Sequence, residues 1–225
     1  MLQDIPNTKI QIVQPEAELL MGPKYHDALN LIEGAARNCY QSKPKADIQD
    51  KELFIRSLIK RGHESPLEHV NYTLRVLIDR GILAEWTRHR IGSAYSVEST
   101  HYVNYAKQDN TILMPTGLTV DQRNGILDAA AKAIWAYQAA IKEGCKPEQA
   151  RAVLPQCLTV RMVVTHNVTQ WRHIFRERLL NEHAHPDFRR VLQLCFDILI
   201  EQAPIFFEDI KETLLAKEVG YVNEV

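Results

Sequence analysis

The sequence has no Cys-x-x-Cys pair, and its four cysteines, Cys39, Cys145, Cys157 and Cys195, are scattered along the chain. Such spacing excludes both a zinc knuckle and a disulfide framework, and it predicts small buried thiols in a reducing, cytoplasmic setting. No run of about 18 apolar residues occurs, which excludes a membrane-spanning helix. The first residues, MLQDIPNTKIQIVQPE, lack the basic-then-apolar order of a secretory signal. Neither sign of charge dominates, since 27 Lys and Arg face 28 Asp and Glu for a net charge of −1. A protein that wraps nucleic acid needs a basic surplus to neutralise phosphate, so no nucleic-acid partner is expected. G-x-G-x-x-G and G-x-x-x-x-G-K-[ST] are both absent, so any nucleotide must be held by side chains rather than by a glycine turn.

What is present is an ordinary globular composition, 45% hydrophobic and 24% charged over 225 residues, which suits one domain spanning 1–225. Alternation predicts strands over Lys9–Gln14, Val70–Ile78 and Thr159–Thr165. Helical spacing predicts helices over Tyr25–Tyr40, Lys51–Lys60, Ile82–Arg90, Thr119–Glu143, Val168–Leu180, Pro186–Gln202 and Phe206–Ala216, with a short one opened by Pro147. Asp79-Arg80-Gly81 reads as a turn, and Ile91–Ala106, which has no clean period, reads as an ordered loop. Thr119 and Gln122 have capping-box spacing, and Gly62 and Gly144 stand where helices should close. The pattern predicts a mixed α/β (α+β) fold in a single domain.

Three concentrations of chemistry stand out. Arg88-His89-Arg90 puts three cationic or titratable groups in a row, followed by a segment rich in Ser, Thr and Tyr that can gather donors around an anion. From Arg151 to Arg190 there are seven arginines and no lysine. An arginine fork holds phosphate or a pyrimidine edge through two parallel bonds, which a lysine cannot do. Some of the seven have the spacing for surface ion pairs with Glu177, Glu182 and Asp187, whereas Arg161, inside VRMVV, would need a partner if buried. Eight of nine histidines fall between His63 and His185, but neither His63/His69 nor His183/His185 has H-E-x-x-H spacing, so no metal is expected. The residues alone thus describe a domain for phosphorylated, planar ligands, without naming a reaction.

Four segments resemble the flavin-dependent thymidylate synthases (the thymidylate synthase complementing protein family). Gly62–His69 (GHESPLEH) is similar to that family's GHxSPxEH element, and Arg88-His89-Arg90 with downstream Ser99 and Tyr102 to its RHR signature. Arg151-Ala-Val-Leu-Pro155 resembles R-x-x-L-P, and Asn167–Arg178 (NVTQWRHIFRER) resembles N-L-R-E-W-R-H-F-x-x-x-R. The resemblance implies a central mixed sheet flanked by helices, a homotetramer with active sites shared between subunits, and bound FAD. It implies reductive methylation of dUMP, with 5,10-methylenetetrahydrofolate and NADPH as co-substrates and no cysteine nucleophile. Carried over by residue, the flavin contacts would be His63, Ser65, Arg88, His89, Arg90, Asn167 and His173. The dUMP contacts would be Glu85, Arg88, Ser99, Thr100, His101, Arg151 and Arg178, with Arg178 catalytic through polarisation of the uracil ring.

The chain departs from that pattern in three places. Eight residues rather than seven separate RHR from Ser99, His101 stands where an arginine is expected, and Thr169 replaces a second arginine. A protonated imidazole can still donate to phosphate, so these departures leave open another pyrimidine nucleotide, UMP or dCMP. From other classes, the residues also admit a metal-dependent hydrolase on His63, His69, His183 and His185, and an RNA-binding module, which the balanced charge disfavours.

Overall fold

The computed structural model describes residues 9–39, 41–43 and 47–223, with backbone only over 218–223. Six strands and eight α-helices alternate along it: β1 Ile10–Val13, β2 Glu16–Met21, α1 Tyr25–Asn38, α2 Ile48–Lys60, β3 Asn71–Asp79, α3 Arg80–Trp86, β4 Ser93–Val97, β5 Asn110–Leu113, α4 Val120–Lys142, α5 Pro147–Ala150, β6 Thr159–Asn167, α6 Val168–Ile174, α7 Pro186–Gln202 and α8 Glu208–Asn223. The fold is mixed α/β with two sheets among helices, in keeping with the expected class. No helix among the described residues is long and apolar enough to cross a membrane.

One sheet pairs β1 with β5 in parallel, Ile10 against Asn110 through Val13 against Leu113. The other has four strands in the order β2-β3-β6-β4. Val168 N–H donates to Val70 and Arg80 N–H to Gln156, so β3 and β6 run in opposite directions. Asn167 N–H donates to Gly92 and Glu98 N–H to Arg161, which makes β6 and β4 antiparallel as well.

The chain divides into two compact units, the first made of Met1–Glu16, Val76–Arg88 and Ser96–Met162 and the second of Ala17–Arg75, His89–Tyr95 and Val163–Val225. In the first, α4 lays Ile134 and Tyr137 against Tyr105, Ala150 and Leu158, and Ala130 against Ile112 and Met114. In the second, Val168, Trp171, Phe175 and Leu179 form an apolar stripe that is buried throughout. Trp171 stacks on Phe175 at 5.6 Å, and Phe175 meets Phe196 and Phe207 edge-on.

Helix ends follow local chemistry. Thr119 and Gln122 form the anticipated capping box at the start of α4. Gly62, at φ +72°, closes α2 with its own N–H on Ile59 and the His63 N–H on Leu58, the paired bonds of a Schellman turn. Asp79 is not part of a turn: its carboxylate accepts the Ile82 N–H and caps α3 directly after β3.

Several expectations are corrected. The segment Ile91–Ala106 contains a strand, β4, whose five residues alternate half-buried and exposed. β2 and β5 were not anticipated either, and all three are short. The helix over Val168–Leu180 is α-helical only to Ile174 and continues as a π-helical turn over Phe175–Leu179. Cys195 is buried, Cys157 half-buried, but Cys39 and Cys145 are exposed. Arg161 is exposed, because the alternation of β6 turns it outward between buried Val160 and Met162. Arg172 and Arg176 do pair with acids, but with Glu64 and Asp209 rather than with neighbours along the chain. Tyr40, the expected end of the first helix, lies outside the described residues.

Thr119→Ala is expected to destabilise the protein by about 1 kcal/mol through loss of the cap. It should appear as a lower urea midpoint, and an unchanged midpoint would mean that α4 is started by something else.

Candidate active site

In the second unit the site is built around His89. Its backbone carbonyl accepts the Ser93 hydroxyl at 2.9 Å and the Tyr95 hydroxyl, both from β4. Its ring accepts the Arg178 Nε–H at Nε2, 3.2 Å away. A guanidinium can only donate, so His89 Nε2 carries no proton in this bond. The Arg178 guanidinium also lies over the Phe188 ring, 5.9 Å from its centroid, and the His173 ring stands 5.7 Å from that of His89.

Arg178 reaches His89 from the π-helical turn. There Leu180 N–H bonds to Phe175 rather than to the residue four back, so the ladder slips by one residue and rotates the residues beyond it. π-Turns of this kind concentrate at functional sites.

Behind His89 lies a buried relay. His166 Nδ1 is 2.8 Å from the Ser93 hydroxyl. With its proton directed to the His89 or Ile91 carbonyl, that hydroxyl accepts from His166 Nδ1. Burial, with the nearby His89 adding to it, pushes the His166 pKa down to about 3. Asn167, next in sequence, caps α6 by accepting the Gln170 N–H at 2.8 Å. Its carboxamide packs on Gly92, where φ is +63° and any Cβ would strike it. His63, Ser65 and Arg90, in the same unit, are exposed.

The first unit holds the other group of expected residues. The Arg151 guanidinium donates to the buried Thr100 hydroxyl at 3.3 Å. Ser99 shapes the turn: its carbonyl accepts Val103 N–H at 2.9 Å and its hydroxyl accepts His101 N–H at 3.2 Å. His101 Nε2 lies 3.5 Å from the Glu148 carboxylate. The turn is anchored upstream by Glu98, whose carboxylate accepts the Tyr105 hydroxyl at 2.8 Å. Arg88 is exposed and Glu85 half-buried at the end of α3.

The structure therefore brings together His89, Arg178 and His173 in one unit, and Ser99, Thr100, His101 and Arg151 in the other. Ser93, Tyr95, His166 and Glu64 were missed as supports. The signal for the first two was the period-two pattern of SAYSV, hidden in a stretch read as loop. Among the described residues, no three or more His, Cys, Asp or Glu side chains gather as they would to hold a metal.

This is an arginine- and histidine-rich set of donors for anionic, planar ligands, on a mixed α/β fold without a glycine phosphate turn. The sequence model of the thymidylate synthase complementing protein family matches residues 23–205. The proteins named flavin-dependent thymidylate synthase from Mycobacterium tuberculosis (strain ATCC 25177 / H37Ra) and Mycobacterium bovis (strain ATCC BAA-935 / AF2122/97) are each 34% identical to this chain over 206 residues, covering 83% of it and 81% of their own length. That of Mycobacterium sp. (strain JLS) is 34% identical over 203 residues, with coverage of 80% and 78%. The chain belongs to the thymidylate synthase complementing protein family.

Because His166 stays neutral when folded but titrates near 6.5 when unfolded, the unfolded chain binds the extra proton between about pH 6.5 and 3. Its contribution is complete above that window and is lost as pH falls through it, by up to about 1.4 kcal/mol per pH unit. His166→Gln should flatten the fall in melting temperature from pH 7 to pH 5. Parallel profiles for variant and wild type would remove His166 as its source.

Proposed function

We propose that the chain catalyses reductive methylation of dUMP to dTMP, with 5,10-methylenetetrahydrofolate as carbon donor and FAD reduced by NADPH. The observation that carries this reading is Arg178, set by a π-turn and fixed at Nε by His89, in a chain of this family. The relatives' name, flavin-dependent thymidylate synthase, supports both the flavin and the product.

The residues suit a flavin dinucleotide by their donor chemistry. Exposed His63, Ser65, Arg90 and His173, with His89, Asn167 and Arg88, offer imidazole, hydroxyl, amide and guanidinium donors to phosphates and to a planar ring. Once bound and reduced by NADPH, the flavin would supply the hydride that lets the folate leave as tetrahydrofolate. Glu85, Arg88, Ser99, Thr100, His101 and Arg151 are the proposed dUMP contacts, with Arg151 and the Ser99 turn on the phosphate. Arg178 polarises the uracil N3–C4 edge, so that negative charge developing as C5 attacks meets a permanent cation. His89 Nε2 accepts from Arg178 Nε and so holds the guanidinium.

We read the whole chain as one catalytic domain, because the matched stretch 23–205 runs through segments of both units. A homotetramer is proposed as well, on the strength of the family resemblance. The enzyme is assigned to the cytoplasm. Side-by-side turnover of dUMP, UMP and dCMP tests which pyrimidine nucleotide is the substrate.

Purified protein is expected to show a flavin absorption band, at once or after soaking with FAD, and protein that stays colourless overturns the reading. Arg178→Ala should lower dTMP formation by at least roughly 100-fold while FAD remains bound. Full turnover in that variant would remove Arg178 from the chemistry.

A further inference from the structure

Thr169 occupies a position where the resembled family carries an arginine, and here it has a definite partner. Its hydroxyl donates to the Glu64 carbonyl at 2.9 Å. The same carbonyl accepts the Leu67 N–H at 2.9 Å, so both of its lone pairs are used. The Glu64 carboxylate accepts from Arg172 Nε at 3.2 Å and from Arg176 Nη2 at 2.8 Å. Arg172 is wholly buried and is itself fixed by two 2.8 Å bonds to Asp209 and by the Phe206 carbonyl.

Glu64 is thus fastened by backbone and side chain to α6 and the π-turn, and it stands between His63 and Ser65. Both neighbours are exposed, and upstream the turn is closed by the paired Schellman bonds of Gly62 N–H and His63 N–H. An exposed turn that must order on binding loses affinity to conformational entropy, and a turn already fixed does not.

We infer that Glu64 and Thr169 form a clasp that positions His63 and Ser65 for the flavin. What an arginine at 169 would offer a ligand directly, this chain replaces with a bond inside the protein. Neither Glu64 nor Thr169 is assigned a ligand contact; both are positioning residues. The inference rests on the flavin reading, and two measurements separate the two.

In flavin-free protein, Thr169→Val should speed amide hydrogen exchange at residues 63–65 by roughly 3- to 10-fold, the loss of one hydrogen bond, and leave the rest of the chain unchanged. In a fluorescence titration it should weaken FAD binding by a similar roughly 3- to 10-fold factor, with Thr169→Ser restoring wild-type affinity. Glu64→Gln should act in the same direction. Unchanged exchange at 63–65 overturns the clasp even if wild type fails to take up FAD, a failure that would sink the flavin reading. Faster exchange with undiminished FAD affinity overturns the positioning role. A loss of affinity that Thr169→Ser does not restore overturns it too.

Discussion

Much of the second unit depends on the burial of one guanidinium. Arg172 has no exposed surface, and a buried charge without partners costs on the order of several kcal/mol. Its donors are met by Asp209 through two parallel bonds, by the Phe206 carbonyl and by Glu64. Those partners come from the start of α8 with the turn just before it, and from the turn after α2, so satisfying Arg172 fixes two separate segments to α6. Burial alone would raise the carboxyl pKa of Asp209, but the bonds and charge of Arg172 outweigh it and hold the group below the usual range. Arg176 adds a second cation on the same two acids. The arginines nearest the expected catalytic one are therefore structural, and their work is to hold α6 still.

Fixing α6 also fixes the π-turn at its end. That turn begins at Phe175, which is locked by Trp171 on one side and by Phe196 and Phe207 on others. Since the turn is anchored at its buried face, the slip in the ladder goes into the angle at which Arg178 leaves the helix. From the other direction, β4 delivers Ser93 and Tyr95 to the His89 carbonyl, with neutral His166 behind them. The Arg178–His89 bond is where these two rigid supports meet, within one unit. A site assembled from strand and helix ends in this way spends little ordering energy when a ligand arrives.

How much of this was legible in the sequence depends on the range of each interaction. Helix α7 and the capping box of α4 were readable residue by residue, because caps, prolines and apolar spacing are local. Strands β2, β4 and β5 were not, since a strand of four to six residues is defined by its partner more than by its own pattern. Surface ion pairs were expected for some of the seven arginines with Glu177, Glu182 and Asp187, but the acids that hold Arg172 and Arg176 are 112 positions before Arg176 and 37 beyond Arg172. The site residues were named from a resemblance rather than from spacing, and the structure adds what motif matching omits: which of them touch, and through which atoms. The π-turn had no sequence signal at all in FRERL, where every residue is an acceptable helix former.

The cysteines bear on the chemistry by their environments. Burial pushes the thiol of Cys157 up, helped by the charge of Asp79, and burial pushes that of Cys195 well beyond its ordinary range. A thiol raised in this way supplies almost no thiolate at neutral pH, and the thiolate is the nucleophile. Cys39 and Cys145 are exposed, but they lie outside all four segments that carry the expected site residues. On the function proposed above, C5 of the pyrimidine becomes nucleophilic without a sulfur nucleophile. That proposal places a fixed cation against the charge developing on the ring oxygen and nitrogen, which asks for a guanidinium whose plane does not wander. The acceptor nitrogen of His89, held by Ser93 and Tyr95 through its own backbone, meets that requirement without adding a second positive charge next to Arg178.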